Sequence, residues 1–181
     1  MQENNYTFDT YNDYTKIKIS DALSRINKQA KPPIILCIGS DLVLGDSLGP
    51  LIGTLLVKSS LPAFVYGTLS FPITAKEVNY AKEYLKNLHP DSMIIAVDAA
   101  VGDIEDIGLI KVKEKGLKPG LGVNKNLKVI GDCSIIGIVA EKCKDCYKLL
   151  NITRLNLVYK MAEQISNGII EYVNSLSPLY R

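Results

Sequence analysis

Two aspartates stand where an α/β chain could do chemistry with them. Asp98 closes the apolar run Met93-Ile94-Ile95-Ala96-Val97, and Asp46 lies in the segment Gly39-Ser40-Asp41-Leu42-Val43-Leu44-Gly45-Asp46-Ser47-Leu48-Gly49-Pro50 that follows another such run. Burying a carboxylate is costly unless it has a partner, so an aspartate closing an apolar strand, as Asp98 does, is the sharper of the two signals. Two carboxylates held close can share one proton, one acting as base toward water and the other as acid toward a scissile amide. Alternatively both could ligate a divalent metal and leave positions open for water and substrate. Each residue also has a plain structural explanation. Asp46 is of a type that caps helices well, and Asp98 could be held by a hydrogen bond to a neighbouring loop. A helix start would favour the ionised form of Asp46, which leaves the more enclosed Asp98 as the proton carrier.

The elements that must position this pair follow from hydrophobic patterning. Ile34-Ile35-Leu36-Cys37-Ile38-Gly39 reads as a strand buried on both faces of a parallel sheet. From Asp46 to about Lys58 the spacing of Leu48, Leu51, Ile52, Leu55 and Leu56 predicts a helix, with Gly49 and Gly53 as a smooth stripe suited to close approach on the sheet. Phe64–Leu69 predicts a second strand, residues 74–88 a second helix with Ala75, Val78, Ala81 and Leu85 on one face, and Met93–Val101 a third strand. Leu109-Ile110-Lys111-Val112-Lys113 alternates and predicts a more exposed strand. Residues 115–132 read as a long functional loop, Ser134–Val139 as the last strand, and about 154–176 as a long amphipathic helix. A short helix is expected over 17–30, ended by Lys31-Pro32-Pro33, and residues 1 to about 15 read as a mobile polar arm. The alternation of strands and helices predicts an α/β fold, with a mostly parallel sheet and helices on both faces. The expected organisation is an arm with a short helix over 1–30 and a single α/β domain over 31–181.

Bulk properties narrow the partners. The chain has 181 residues and a formal net charge of +2, with 47% hydrophobic and 22% charged residues. That charge is too small to imply a nucleic-acid or membrane partner by itself. No apolar run is long enough to span a bilayer, and the polar, acidic start does not read as a signal peptide, so a cytosolic protein is expected. Cys143-Lys-Asp-Cys146 has a metal-ligand or redox spacing, but a structural zinc site needs further ligands and the only histidine is His89. Unrelated surface thiols are the simpler reading. The glycines at 39, 45, 49 and 53 make no dinucleotide fingerprint, and Asp41 and Asp46 would repel a phosphate at this helix start.

The same residues carry a family resemblance. Ile38-Gly39-Ser40-Asp41 through Gly45-Asp46-Ser47-Leu48-Gly49-Pro50 resembles the D-[AS]-L-G-P motif of the spore germination protease, and more distantly the G-N-x-L-x-x-D-[DE]-x-x-G motif of hydrogenase maturation endopeptidases. Val97-Asp98-Ala99-Ala100 resembles the germination protease's I-D-A-L, and Pro119-Gly120-Leu121-Gly122-Val123 its P-G-x-G-V loop. With Val129-Ile130-Gly131-Asp132-Cys133-Ser134-Ile135, the chain from about residue 31 onward is most similar to the YyaC group of spore-protease-like sporulation proteins. The resemblance implies a three-layer α/β/α sandwich of the phosphorylase/hydrolase type. It implies Asp46 and Asp98 as a catalytic pair, with Ser40 and Asp41 shaping the site and the loop of Gly120, Gly122 and Asn124 closing over substrate. In the maturation endopeptidases the corresponding acids bind nickel with a later histidine, and no histidine follows His89 here. The implied activity is a sporulation endopeptidase of the forespore or mother cell, acting without a cofactor on a small protein such as the small acid-soluble spore proteins. A non-catalytic binding or assembly protein on the same fold, and a metal-dependent hydrolase using the same aspartates, are the alternatives. A homo-oligomer stays open.

Overall fold

The structure is a computed structural model that describes residues 4–119, 128–142 and 150–176. In chain order the elements are β1 (Asn5–Asp9), α1 (Thr15–Ile26), β2 (Pro33–Cys37), α2 (Leu48–Lys58), β3 (Phe64–Tyr66), α3 (Val78–Leu88), β4 (Met93–Gly102), β5 (Leu109–Lys113), β6 (Cys133–Glu141) and α4 (Leu155–Leu176). Short 3-10 turns at Gly45–Ser47 and Ile104–Asp106 follow β2 and β4. The strands form one sheet in the order β1-β5-β6-β4-β2-β3. β3, β2, β4 and β6 run parallel, while β5 is antiparallel to β6 and β1 antiparallel to β5.

Alternate residues of a strand face opposite sides of a sheet, and the buried central strands use both sides. Ile35, Cys37, Ile95, Val97 and Ile135 face a core built with α1, α2 and α4. Ile34, Leu36, Ile38, Ile94 and Ala96 face a smaller core built with Val78 and Leu85 of α3 and with Leu117 and Ile130. This is the expected α/β/α sandwich with a mostly parallel sheet. Among the described residues no helix is long and apolar enough to cross a membrane.

The N-terminal segment differs from its sequence-based reading. Asn5–Asp9 is not a mobile arm but an edge strand, in register from Asn5 against Lys113 to Asp9 against Leu109. Tyr6 and Phe8 pack on the larger core, so the period-two pattern within Asn-Tyr-Thr-Phe-Asp outweighs its polar composition. Thr10 Oγ1 donates to the carbonyl of Gly108 at 2.5 Å, and Thr15 Oγ1 to that of Asp9 at 2.6 Å, fastening the turn into α1. α1 then packs on α4, where Asn27 Nδ2 donates to the hydroxyl oxygen of fully buried Tyr172 at 2.6 Å. Two other elements are shorter than expected. β3 ends at Tyr66 because Gly67 turns the chain at φ +85°. α3 begins at Val78, since Thr74–Glu77 forms a turn in which the Glu77 carboxylate accepts from the backbone N–H and the hydroxyl of Thr74. Where a continuous loop was expected over 115–132, Leu117 and Ile130 form an antiparallel bridge, both buried in the smaller core.

The glycine stripe of α2 meets the sheet as expected. A Cβ on Gly49 would sit 2.0 Å from the carbonyl oxygen of Ile38, and one on Gly53 would sit 1.9 Å from that of Gly67. Both neighbours are backbone and cannot rotate away. Gly49→Ala should therefore push α2 off the end of β2 and cost about 2 kcal/mol or more, the upper range for overpacked sites. Urea melts of Gly49→Ala beside the exposed-face control Lys58→Ala, which should differ from wild type by less than about 0.5 kcal/mol, check the direction and size.

Candidate functional site

The two aspartates sit at the carboxyl ends of neighbouring strands. β2 passes through α2 on one face to its outer neighbour β3, whereas β4 enters through α3 on the other face and lies on β2's opposite side. The chain thus diverges between β2 and β4, which makes this pair the topological switch point of the sheet. Open α/β sheets place their ligand crevices there.

Ile38, one residue past β2, donates its N–H to the carbonyl of Val97 at 2.8 Å, next to Asp98. Gly39 then turns at φ +144° and donates to the carbonyl of Ile73 at 2.9 Å. Ser40 donates its backbone N–H to the carbonyl of Asp46 at 3.1 Å, closing the loop on itself. A Cβ on Gly39 would lie 2.1 Å from that same Asp46 carbonyl oxygen. The 3-10 turn bearing Asp46 lies against β4, and on its other side Gly45 abuts Leu150 and Thr153. Thr153, buried at the start of the chain into α4, has its Oγ1 3.5 Å from the carbonyl of Val139, near the end of β6.

The predicted residues fall into three groups. Asp98 is 6% exposed, its Oδ1 accepting from the N–H of Ala99 at 2.9 Å. Asp46 is half-buried, and Ser40 is half-buried beside it with its Oγ accepting from the N–H of Leu42 at 3.2 Å. Ser40 therefore shapes the loop through both its backbone and its hydroxyl. Asp41 is exposed on the outside of that loop. Gly120, Gly122 and Asn124, and with them Cys143 and Cys146, lie outside the described residues.

Two sequence-based expectations about Asp46 change. Ser47, not Asp46, occupies the N-cap of α2, and it makes no side-chain capping bond. Helix capping therefore does not account for Asp46. Its charge preference is reversed as well. Burial holds the Asp46 carboxyl above the usual aspartate range, and the backbone N–H of Ser40 opposes that rise without cancelling it. The favourable field of a helix start is strongest within the first turn, whereas Asp46 precedes the helix, in a turn set against β4.

Among the described residues no three His, Cys, Asp or Glu side chains converge as a metal would require. His89 lies at the sheet's outer edge, its Nε2 2.9 Å from the Tyr66 hydroxyl oxygen and its ring centroid 4.4 Å from that of Phe64. The buried thiols Cys37 and Cys133 are pushed far up by desolvation and stay protonated.

Sequence reasoning missed the support for the site more than the site itself. Ile73, whose carbonyl holds Gly39, and Thr153, against Gly45, come from distant segments with no motif to mark them. Three apolar side chains near the crevice are exposed, Leu42 at 85%, Phe71 at 80% and Leu69 more modestly, on the loops that leave β2 and β3. Exposed apolar groups clustered at one end of a sheet suit a polypeptide ligand better than a small polar one.

Comparison with known proteins places this arrangement in a family. The chain is 42% identical over 148 residues to a Bacillus subtilis (strain 168) protein described as "Uncharacterized protein YyaC", a match covering 81% of this chain and 72% of that protein. Residues 8–168 match the family model described as "Protein of unknown function (DUF1256)", a span that includes β2, β4 and both aspartates. The chain belongs to that DUF1256 family.

Proposed function

We propose that this protein is an aspartate-dependent endopeptidase that cuts a small protein substrate, with Asp46 and Asp98 as its acid–base pair. The observation that carries the reading is the placement of two enclosed carboxylates at adjacent strand ends on the switch point. In this reading Asp46, whose protonated form desolvation favours, delivers a proton to the leaving amide nitrogen. Asp98 takes a proton from the attacking water, which forms the new bond to the carbonyl carbon as the C–N bond breaks. The order of roles is the reverse of the one expected from sequence. It follows from desolvation at Asp46, which favours the protonated form that a general acid needs. The resemblance to the germination protease supports the pair as catalytic and makes small acid-soluble spore proteins the first substrates to try, in a cytosolic, sporulating-cell setting. The exposed Leu42 and Phe71 would take apolar side chains of the substrate.

The direct test is cleavage of small acid-soluble spore proteins and of an unstructured polypeptide by wild type, Asp46→Asn and Asp98→Asn, each metal-free and metal-supplemented. Cleavage by wild type and its loss by a hundredfold or more in both variants is expected, the usual scale for removing a positioned acid or base. Folded wild type that cleaves neither substrate under either condition overturns the peptidase reading and leaves a binding protein. Activity only with added metal would move the pair to metal ligation.

Asp46 also makes a stability prediction. Its carboxyl is raised on folding, so its contribution is favourable below the ordinary aspartate value of about 3.9 and is lost as pH rises through the raised value. Once ionised, above that raised value, the enclosed carboxylate therefore destabilises the fold. Asp46→Asn should melt above wild type at pH 7, and the gap should close on acidification to about pH 3.5. Melting curves at the two pH values decide it, and equal gaps at both would remove the desolvation argument.

A further inference from the structure

The smaller face of the sheet carries a row of side chains that runs away from Asp98. Asp98 pairs with Ile136 of β6, and Ile136 pairs with Lys111 of β5. Residues in register across strands share a face, and three observations agree on which one. Ile136 packs on the smaller core, Ile110 and Val112 on either side of Lys111 face the larger one, and β5 alternates half-buried and buried from Leu109 to Lys113. Lys111 therefore projects from the same face as Asp98, two strands away, about 10 Å at the usual strand spacing.

This end of the face is open among the described residues. The helix α3 contributes Val78 and Leu85 over β2 and β4, and the Leu117–Ile130 bridge covers the same core. α1 lies against β1 and β5 from the larger-core side, and on the smaller face Asn5, Thr7 and Asp9 are exposed with no described helix over them. Ile136 is half-buried and forms an apolar floor between Asp98 and Lys111. The Lys111 ammonium is paired with Asp106 of the turn after β4, Nζ to Oδ2 at 2.6 Å, with side chains 26% and 31% exposed. The pair is largely covered, so an incoming carboxylate would have to replace Asp106 as the partner of the ammonium.

We infer that Lys111 is a specificity-determining residue that binds a carboxylate of the polypeptide seated on the Asp46–Asp98 site. An extended peptide advances about 3.3 Å per residue, so a chain lying across the strand ends over Ile136 brings a group about three residues from the aspartates over Lys111. The carboxylate is that of an acidic side chain or of a nearby C-terminus, two sources with one chemistry. The inference rests on the reading that the site takes a polypeptide, but not on its cutting one. It separates Lys111 from Lys113, which shares the face but stands opposite Ser134, a row further from the carboxyl ends.

Panning a random heptapeptide library on the full chain tests it, followed by affinities of the selected peptides, as free acids and as C-terminal amides. Selected peptides should be enriched in Asp or Glu or should need the free C-terminus, and the amides tell which source applies. Lys111→Ala should weaken them tenfold or more, and Asp98→Asn should leave the acidic preference in place. Asp106→Asn should preserve or tighten binding, because it frees the ammonium. A merely structural ion pair would make Lys111→Ala and Asp106→Asn weaken binding alike, and that result overturns the inference. So does a selected set with no carboxylate requirement, or failure to select any peptide. Carboxylate-dependent binding by a protein that cleaves nothing upholds Lys111 and removes the peptidase reading, whereas cleavage without that dependence does the opposite.

Discussion

The geometry of the crevice depends on two places where backbone meets backbone with no room for a side chain between them. The first turn of α2 rests on the carbonyl of Ile38 at Gly49, and the loop before it folds back so that Gly39 faces the carbonyl of Asp46. Because the obstructing atoms belong to peptide groups, neither contact can be relieved by a change of rotamer, and close-packed interiors transmit such a displacement rather than absorb it. The loop from Gly39 to Asp46 is therefore pinned at both ends, by the bond from Ser40 N–H to the Asp46 carbonyl and by the docking of α2. A segment of that composition, left free, would hold no fixed carboxylate over the end of β4.

Pinning the loop also sets its electrostatics. The turn is pressed against β4 and the Leu150–Thr153 segment, so Asp46 loses part of its hydration, and only the Ser40 N–H opposes the resulting rise. A helix start offers an exposed acid on the order of 0.3–1 kcal/mol, falling off within a turn, and desolvation of a half-buried carboxylate outweighs that. Asp98 is held by a different element. It lies on a central strand, on the face opposite the core of α2, with Ala99 N–H as a close donor. Two acids held by separate elements, one by a turn and one by a strand, have different surroundings, and in the proposed pair such asymmetry would divide acid from base.

How far this was legible in the chain depends on the range of each interaction. The strands β2, β4 and β6 are apolar because both faces are covered, and that shows in any short window. The α2 stripe of Gly49 and Gly53 was readable for the same reason, since periodicity and residue size are local. Asp98 was legible as the polar end of an apolar run. The position of Asp46 was legible, but its environment was not, because the turn that bears it is set against β4 and, at Gly45, against residues 150–153. β1 was hidden by composition, its tyrosine and phenylalanine diluted by Asn, Thr and Asp until β5 supplied a partner for their alternation. The placement of β5 beside β6, antiparallel in an otherwise parallel stretch, is a long-range pairing that no window contains.

That antiparallel insertion has a consequence for the surface as well as for the topology. Parallel strands joined through helices bring cover for both faces with them, and β2, β3 and β4 follow that rule through α2 and α3. β5 reaches β6 through the described stems around Leu117 and Ile130, which cover the row of Ala96 and Ile94, and β1 enters β5 by pairing alone. The sheet is thus wider than the layer of α3 on its smaller face. What remains open among the described residues is the middle of β6 and β5, with a half-buried isoleucine flanked by an aspartate on one strand and a lysine on another. A fully covered sheet would confine ligands to its rim, whereas this one extends the rim onto a shelf with opposite charges at its two sides. The same edge addition that was hardest to read from sequence is therefore what gives the crevice a second wall.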